Sequence, residues 1–188
     1  IYSSVPNTFI NYHQEGPLSD DMAPHAEWTG WFAYDIVGKQ MGNWNPSSED
    51  NNDYWRVLPK KIRQAQIFIQ NVKPIENQNL TVEEAERMKL EARFLIAYYY
   101  ALLVEFYGAV PFTAEPIDLD APYDVLMMQQ VPVHQVIDWI DNELLEVSKG
   151  LPASYTNPTL YGRATSLMCL AVRSRLLLLS ASPLLNGN

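Results

Sequence analysis

Residues 91–112, EARFLIAYYYALLVEFYGAVPF, place three consecutive tyrosines inside a segment with a strong helical pattern. Thr81 and Glu84 precede it with the spacing of a capping box, and Glu83 and Arg87 have the spacing of a favourable i,i+4 pair. Gly108, followed by Pro111, is a typical helix end. Apolar residues recur three and four positions apart, at Ala85, Met88, Ala92, Leu95, Tyr99, Leu102 and Phe106. The segment predicts one long helix between Thr81 and Gly108.

The three tyrosines point in different directions, because successive helical residues are rotated by about 100°. Tyr98, Tyr99 and Tyr100 therefore cannot form one flat surface for a sugar ring. Tyr99 lies on the main apolar face and Tyr100 on a second apolar flank. A helix that is apolar over such a wide arc packs on more than one side. We expect core tyrosines whose phenol groups bind partners at the edge of the core.

Three further segments have the same helical periodicity. The first runs from Tyr54 to Val72, with an apolar stripe at Trp55, Leu58, Ile62, Ala65, Ile69 and Val72; Pro59 inside it predicts a kink or a start near Leu58. The next begins near Pro132 and has its stripe at Val133, Ile137, Ile140, Leu144 and Val147. The last runs from about residue 161 to Ser182, with its stripe at Leu167, Leu170, Leu177 and Ala181. No stretch alternates with a period of two, so the fold class is predicted to be all-α, with stacked helix pairs and long irregular loops.

Composition excludes several classes of function. The 188 residues carry a formal net charge of −9 without a basic run, which argues against nucleic acid as a partner. The single cysteine, Cys169, allows no internal disulfide, and its apolar surroundings indicate a core thiol. His13, His25 and His134 lack metal-ligand spacing, and we predict no metal and no cofactor. No apolar run reaches the roughly 20 residues of a membrane span.

Residues 1–52 are rich in turn-forming residues and aromatic rings, with one short helix predicted between residues 23 and 41. Trp44, in the loop GNWN, is flanked by small and polar residues, and we predict that it stacks on a ligand ring. Asn45 beside it is a second candidate, although turn formation would also explain it. Trp31 is a third candidate, although its spacing from Trp28 is also typical of core residues on one helical face.

The acidic residues do not single out a catalytic pair. A glycosidase needs two carboxylates facing each other across a cleft. Asp138, Asp141, Glu143 and Glu146 lie opposite the apolar stripe of their helix, and we expect a solvated face there. The sequence thus predicts no catalytic residues, although an all-α fold alone leaves a glycosidase open.

Taken together, four segments resemble the SusD/RagB family of outer-membrane nutrient-binding lipoproteins. They are residues 55–72, 80–112, 131–152 and 161–187, and the strongest matches are EARFLIAYYY, FYGAVPF, GRAT and SASPLLNG. Gln66 stands where the family usually has an asparagine. We expect one SusD-like domain fragment over residues 1–188, loop-rich over 1–52 and helical over 53–188, with an anchor segment upstream and more chain downstream.

The resemblance implies tetratricopeptide-like helix pairs, a protein that is not an enzyme, and a lipid anchor on the outer face of the outer membrane. It also implies a SusC-like TonB-dependent transporter barrel as partner, to which the protein would deliver an oligosaccharide as a lid. A peptide ligand, a scaffold that binds only protein and an all-α glycosidase are the alternatives. The aromatic residues expected to be exposed in the loops of residues 1–52 favour the hypothesis of glycan binding over that of a scaffold that binds only protein.

Overall fold

The computed structural model describes residues 1–5, 54–75 and 80–186. The chain divides into two compact units, one formed by Ile1–Tyr2 with Tyr54–Asn188 and the other by Ser3–Asp53. The helix predicted within residues 23–41 falls outside the described residues. The description below concerns the first unit.

Six α-helices and a two-stranded ladder make up the described part of this unit. The helices are α1 (Tyr54–Asn71), α2 (Val82–Tyr107), α3 (Tyr123–Leu126), α4 (Val133–Gly150), α5 (Ser166–Ser180) and α6 (Pro183–Asn186). Strands β1 (Val110–Pro111) and β2 (Gln130–Val131) pair antiparallel, with Val110 opposite Val131. Short 3₁₀ helices cover Tyr2–Ser4 and Pro158–Leu160.

The long helices stack in the order α1, α2, α4, α5. Helix α2 is central, since it packs on both α1 and α4 and buries 13 of its 26 residues. The predicted stripe of α4 is buried at Ile137, Ile140, Leu144 and Val147. The all-α prediction is confirmed.

The ends of α2 follow the sequence signals. The Thr81 hydroxyl accepts a hydrogen bond from the Glu84 amide at 3.1 Å, and Gly108, with φ at +70°, ends the helix. The predicted pair of Glu83 with Arg87 is wrong, because Arg87 binds Glu84 and lies 3.4 Å from Glu91 instead. These two carboxylates are three and four positions from Arg87, on the same side of the helix.

Helix α1 begins at Tyr54, the first residue of the predicted segment, so the alternative start near Leu58 is wrong. Pro59 lies inside the helix. A proline in the second turn removes a single backbone donor, and the helix continues because Leu58, Ile62 and Ala65 bury its apolar face against α2.

The three tyrosines belong to the core, as predicted. Tyr99 is fully buried, and its hydroxyl donates to the Ile1 carbonyl at 2.7 Å. The hydroxyl of Tyr100 donates to the Thr113 carbonyl and accepts from the Thr113 amide, both at 3.1 Å. Tyr98 stacks on Phe94 with the ring centroids 6.0 Å apart. Each tyrosine thus packs against a different part of the chain.

Helix α5 buries a different face from the one predicted. Cys169 and Leu176 are buried, whereas Leu167, Leu170 and Leu177 are exposed. The helix is apolar almost all round, so periodicity alone could not decide which stripe meets α4. The prediction of a core thiol at Cys169 is confirmed, and burial raises the pKa of this thiol to about 11.

The predicted solvated face of α4 is wrong at two of its four carboxylates. Glu143 accepts two hydrogen bonds from Arg93 of α2, at 2.6 and 2.8 Å. Asp141 accepts two from Arg173 of α5, at 2.5 and 3.2 Å. The arginines lie on neighbouring helices, so the sequence of α4 alone could not reveal these pairs. They join α4 to both of its neighbours.

A buried carboxylate, that of Glu91, links helix α2 to the GRAT segment before α5. Glu91 is only 3% exposed, and both of its oxygens lie 3.3 Å from Nη1 of Arg163. The Tyr2 hydroxyl donates to Oε2 at 3.0 Å and accepts from the Ala164 amide at 2.9 Å. Tyr155 donates to the Ala164 carbonyl at 3.2 Å. This network joins α2, the turn before α5 and the first residues of the chain.

A pocket beside helix α1 as the candidate functional site

The three predicted ligand contacts lie outside the described residues. Trp44, Asn45 and Trp31 all fall within residues 6–53, so their contact with a ligand stays a prediction. Among the histidines, His134 is described and exposed on α4. Within residues 1–5, 54–75 and 80–186, no group of acidic, histidine or cysteine side chains is arranged to hold a metal ion.

The described residues form a pocket of about 650 Å³ beside α1. Its walls come from α1, from Tyr100 and Leu103 of α2, from residues 110–117 and from residues 126–129. Small-molecule sites commonly occupy about 300–1,000 Å³ and combine apolar walls with a few polar groups. The pocket therefore has a size suited to a small ligand or to one part of a longer one.

Four hydrogen bonds, two of them between Tyr100 and Thr113, hold the segment after β1 against the helices. Nε2 of Gln66 donates to the Thr113 carbonyl at 2.9 Å, and Tyr100 binds the same residue through its hydroxyl. Nη1 of Arg63 donates to the Ile117 carbonyl at 2.5 Å. These bonds fix the pocket wall, because they satisfy backbone groups in a loop without regular structure. Sequence reasoning noted Gln66 as a departure from the family pattern but did not find its role.

An exposed group of aromatic rings borders the pocket. Trp55, which lines the pocket and is 45% exposed, meets Tyr107 edge-on with centroids 5.3 Å apart. Beside them, Tyr54 meets Phe106 at 4.9 Å. The sequence placed Trp55 and Phe106 on buried stripes, which is wrong, because these residues lie at the end of the α1–α2 contact, where their side chains stay 45% and 55% exposed. Large exposed rings next to a pocket are a typical feature of a binding surface.

Among the described residues that line the pocket, the basic side chains are Arg56, Lys60 and Arg63, and none carries a carboxylate. Helix α1 as a whole contains four basic residues and no acidic one. This is unusual in a chain with 22 acidic and 13 basic residues. The pocket therefore offers positive charge, aromatic surface and hydrogen-bonding groups, a combination suited to binding.

Comparison with known proteins agrees with this architecture. Residues 7–178 match the model of the SusD-like family described as starch-binding and associating with the outer membrane. This chain belongs to the SusD-like family. The tetratricopeptide-like stacking predicted from the resemblance is confirmed by its solved members.

Three solved structures illustrate the SusD-like relationship. BT4246 is 31% identical, with a TM-score of 0.68 over 79% of this chain and 24% of that one. The SusD-like protein BF3747 from Bacteroides fragilis is 26% identical, with a TM-score of 0.57 over 68% of this chain and 23% of its own. The SusD-like carbohydrate-binding protein BF0978 from the same species is 25% identical, with a TM-score of 0.58 over 68% and 24%.

The chain thus spans about a quarter of the length of these SusD-like structures. No curated protein matches it. None of the helices in the described ranges is both long enough and apolar enough to cross a bilayer.

Proposed function

We propose that this chain is part of a non-catalytic glycan-binding protein of the outer membrane. In this proposal the protein captures an oligosaccharide and, as a lid, delivers it to a SusC-like TonB-dependent transporter barrel. The observation that carries the proposal is the family match over residues 7–178, whose description combines starch binding with outer-membrane association. BF0978, which is described as carbohydrate-binding, supports the same class of ligand.

The pocket and its aromatic border support binding of a sugar. Pyranose rings have apolar faces that pack on aromatic side chains and hydroxyl groups that pair with amides and charged groups. Trp55 supplies an exposed ring at the pocket, and Gln66 supplies a buried amide. Both kinds of group are present within one site of suitable size.

The roles of the described carboxylates favour binding over hydrolysis. Glu91, Asp141 and Glu143 are all hydrogen-bonded to arginines within the helical stack. A glycosidase would need two carboxylates flanking a substrate instead. The described residues that line the pocket include no acidic side chain that could act as a general acid on a bound sugar.

The test is a glycan array that reads out both binding and turnover by the full-length protein. We expect binding of at least one neutral or acidic oligosaccharide without cleavage products. Cleavage would contradict the non-catalytic assignment. If the protein binds peptides and no glycan, its ligand class is peptides. If it binds neither, the alternative of a scaffold that binds only protein is favoured.

The lid role has a separate test. Gentle detergent extraction of native membranes should recover the protein, with its upstream lipid anchor, together with a large β-barrel transporter. Permanent complexes usually bury more than the roughly 1,600 Å² of a standard interface and therefore survive extraction. Recovery of the protein alone, under conditions that preserve other outer-membrane complexes, would contradict this part of the proposal.

A further inference from the structure

The pocket beside α1 concentrates positive charge in an acidic protein. Arg56, Lys60 and Arg63 line it, while the acidic residues of the neighbouring loop, Glu115, Asp118, Asp120 and Asp124, do not. Lys60 is exposed and has no ion-pair partner among the described residues. An anion that enters the pocket can therefore form an ion pair with Lys60 without displacing a carboxylate of the protein.

A second observation comes from Gln66. This side chain is only 3% exposed, yet it lines the pocket. Its Nε2 donates a hydrogen bond to the Thr113 carbonyl, whereas its Oε1 accepts no hydrogen bond from the described residues. Because this oxygen has no donor among the described residues and its side chain lines the pocket, it can accept a hydrogen bond from a ligand hydroxyl.

We infer that this pocket binds a hexuronic acid unit, that is, a sugar ring carrying a carboxylate, within an oligosaccharide. The inference rests on the proposed function and names the class of glycan. The carboxylate complements Lys60, a ring hydroxyl complements Oε1 of Gln66, and the apolar ring face complements Trp55. An acidic peptide would satisfy the charge but presents neither a hydroxylated ring nor a saccharide face.

The experiment uses two neighbouring lysines of α1 as a matched pair. Lys60 lines the pocket and Lys61 does not, so Lys60→Gln and Lys61→Gln remove the same charge from the same helix at different places. Calorimetric titration of the full-length protein would use trigalacturonate, its fully methyl-esterified form and triglutamate. Circular dichroism would verify that both variants keep their helical content.

We expect the wild type to bind trigalacturonate more tightly than the ester. We also expect Lys60→Gln to raise the Kd for trigalacturonate about tenfold, as the loss of one charge-assisted hydrogen bond does. Lys61→Gln should change it less than about twofold. Raising the salt concentration should weaken trigalacturonate binding in the wild type more than in Lys60→Gln, because screening acts on the charge that the variant lacks.

Four results would overturn the inference: no binding of trigalacturonate, equal binding of its ester, equal effects of the two substitutions, or tighter binding of triglutamate. These results are distinguishable from failure of the proposed function. If the array shows uncleaved neutral glycans bound while trigalacturonate does not bind, the glycan-binding role stands and the acidic-sugar assignment falls.

Discussion

The carboxylate of Glu91 lies 3.3 Å from the guanidinium of Arg163, although the two residues are 72 positions apart. Glu91 opens the tyrosine-rich segment of α2, and Arg163 belongs to the GRAT segment before α5. Two of the segments that carry the family resemblance are therefore the two sides of one contact. This contact joins the central helix of the stack to the turn before α5.

We predict that Glu91→Ala lowers the free energy of unfolding by about 3 kcal/mol. Removing one member of a buried ion pair leaves its partner without compensation, here Arg163, and it takes from Arg87 one of its two neighbouring carboxylates. Glu86→Ala is the matched control, because Glu86 lies on the same helix in an exposed ion pair with Lys89. This substitution should lower the free energy of unfolding by less than about 1 kcal/mol. Chemical denaturation measures both values. Equal losses would show that the network is not a major source of stability.

The second prediction separates the adjacent tyrosines. Tyr99→Phe should lower the free energy of unfolding by about 1 kcal/mol, because it removes the hydrogen bond to the Ile1 carbonyl in a fully buried position. Tyr98→Phe should cost less than about 0.5 kcal/mol, since the Tyr98 hydroxyl donates to none of the described residues. Thermal denaturation of the two variants provides the comparison. A larger loss for Tyr98→Phe would contradict the structure of this helix face.

Stability should fall in alkaline solution. Burial raises the pKa of Cys169 from 9.0 to about 11, and burial, together with the neighbouring Tyr98, raises the pKa of Tyr99 from 10.0 to about 12. The unfolded chain therefore releases these protons at lower pH than the folded one. The associated stability is complete below pH 9 and is lost as the pH rises through 11 and 12.

Denaturation midpoints measured from pH 8 to pH 12 test this expectation. Cys169→Ala should make the decline between pH 9 and pH 11 shallower, whatever its effect at neutral pH. In the folded wild type, a thiol reagent at pH 8 should not label Cys169. An identical pH dependence in both proteins would show that the thiol does not contribute.

The fourth prediction concerns the loop aromatic proposed from sequence. Trp44→Ala should weaken binding of the cognate oligosaccharide by about 2 kcal/mol, which is roughly thirtyfold, because aromatic residues often dominate binding energy. The melting temperature should hardly change, since Trp44 lies outside the predicted helical stripes. Calorimetry and circular dichroism would be measured together. An unchanged affinity would remove Trp44 from the site, and a collapsed melting temperature would make it a structural residue.

The features that sequence predicted well are local. The start of α2 at Thr81, its end at Gly108 and the buried stripe of α4 follow from capping, backbone conformation and periodicity within a few turns. The tyrosines could also be placed, because helical rotation alone separates their directions.

The features that sequence missed depend on contacts between distant segments. Which stripe of α5 is buried depends on how that helix meets α4, and the partners of Asp141 and Glu143 lie on other helices. The pocket combines α1 with residues more than 40 positions later, such as Thr113. A basic helix in an acidic chain was the one sequence signal that could have drawn attention to it.

The bonds made by the first two residues have a consequence for the Ser3–Asp53 unit. Ile1 and Tyr2 bind Tyr99 and Glu91, and Tyr54 begins α1, so both ends of this unit are attached to the same helical body. A segment held at both ends pays a closure entropy that rises only logarithmically, by about 0.6 kcal/mol for each doubling of its length. Inserting residues between positions 3 and 53 should therefore cost the folding of the helices little.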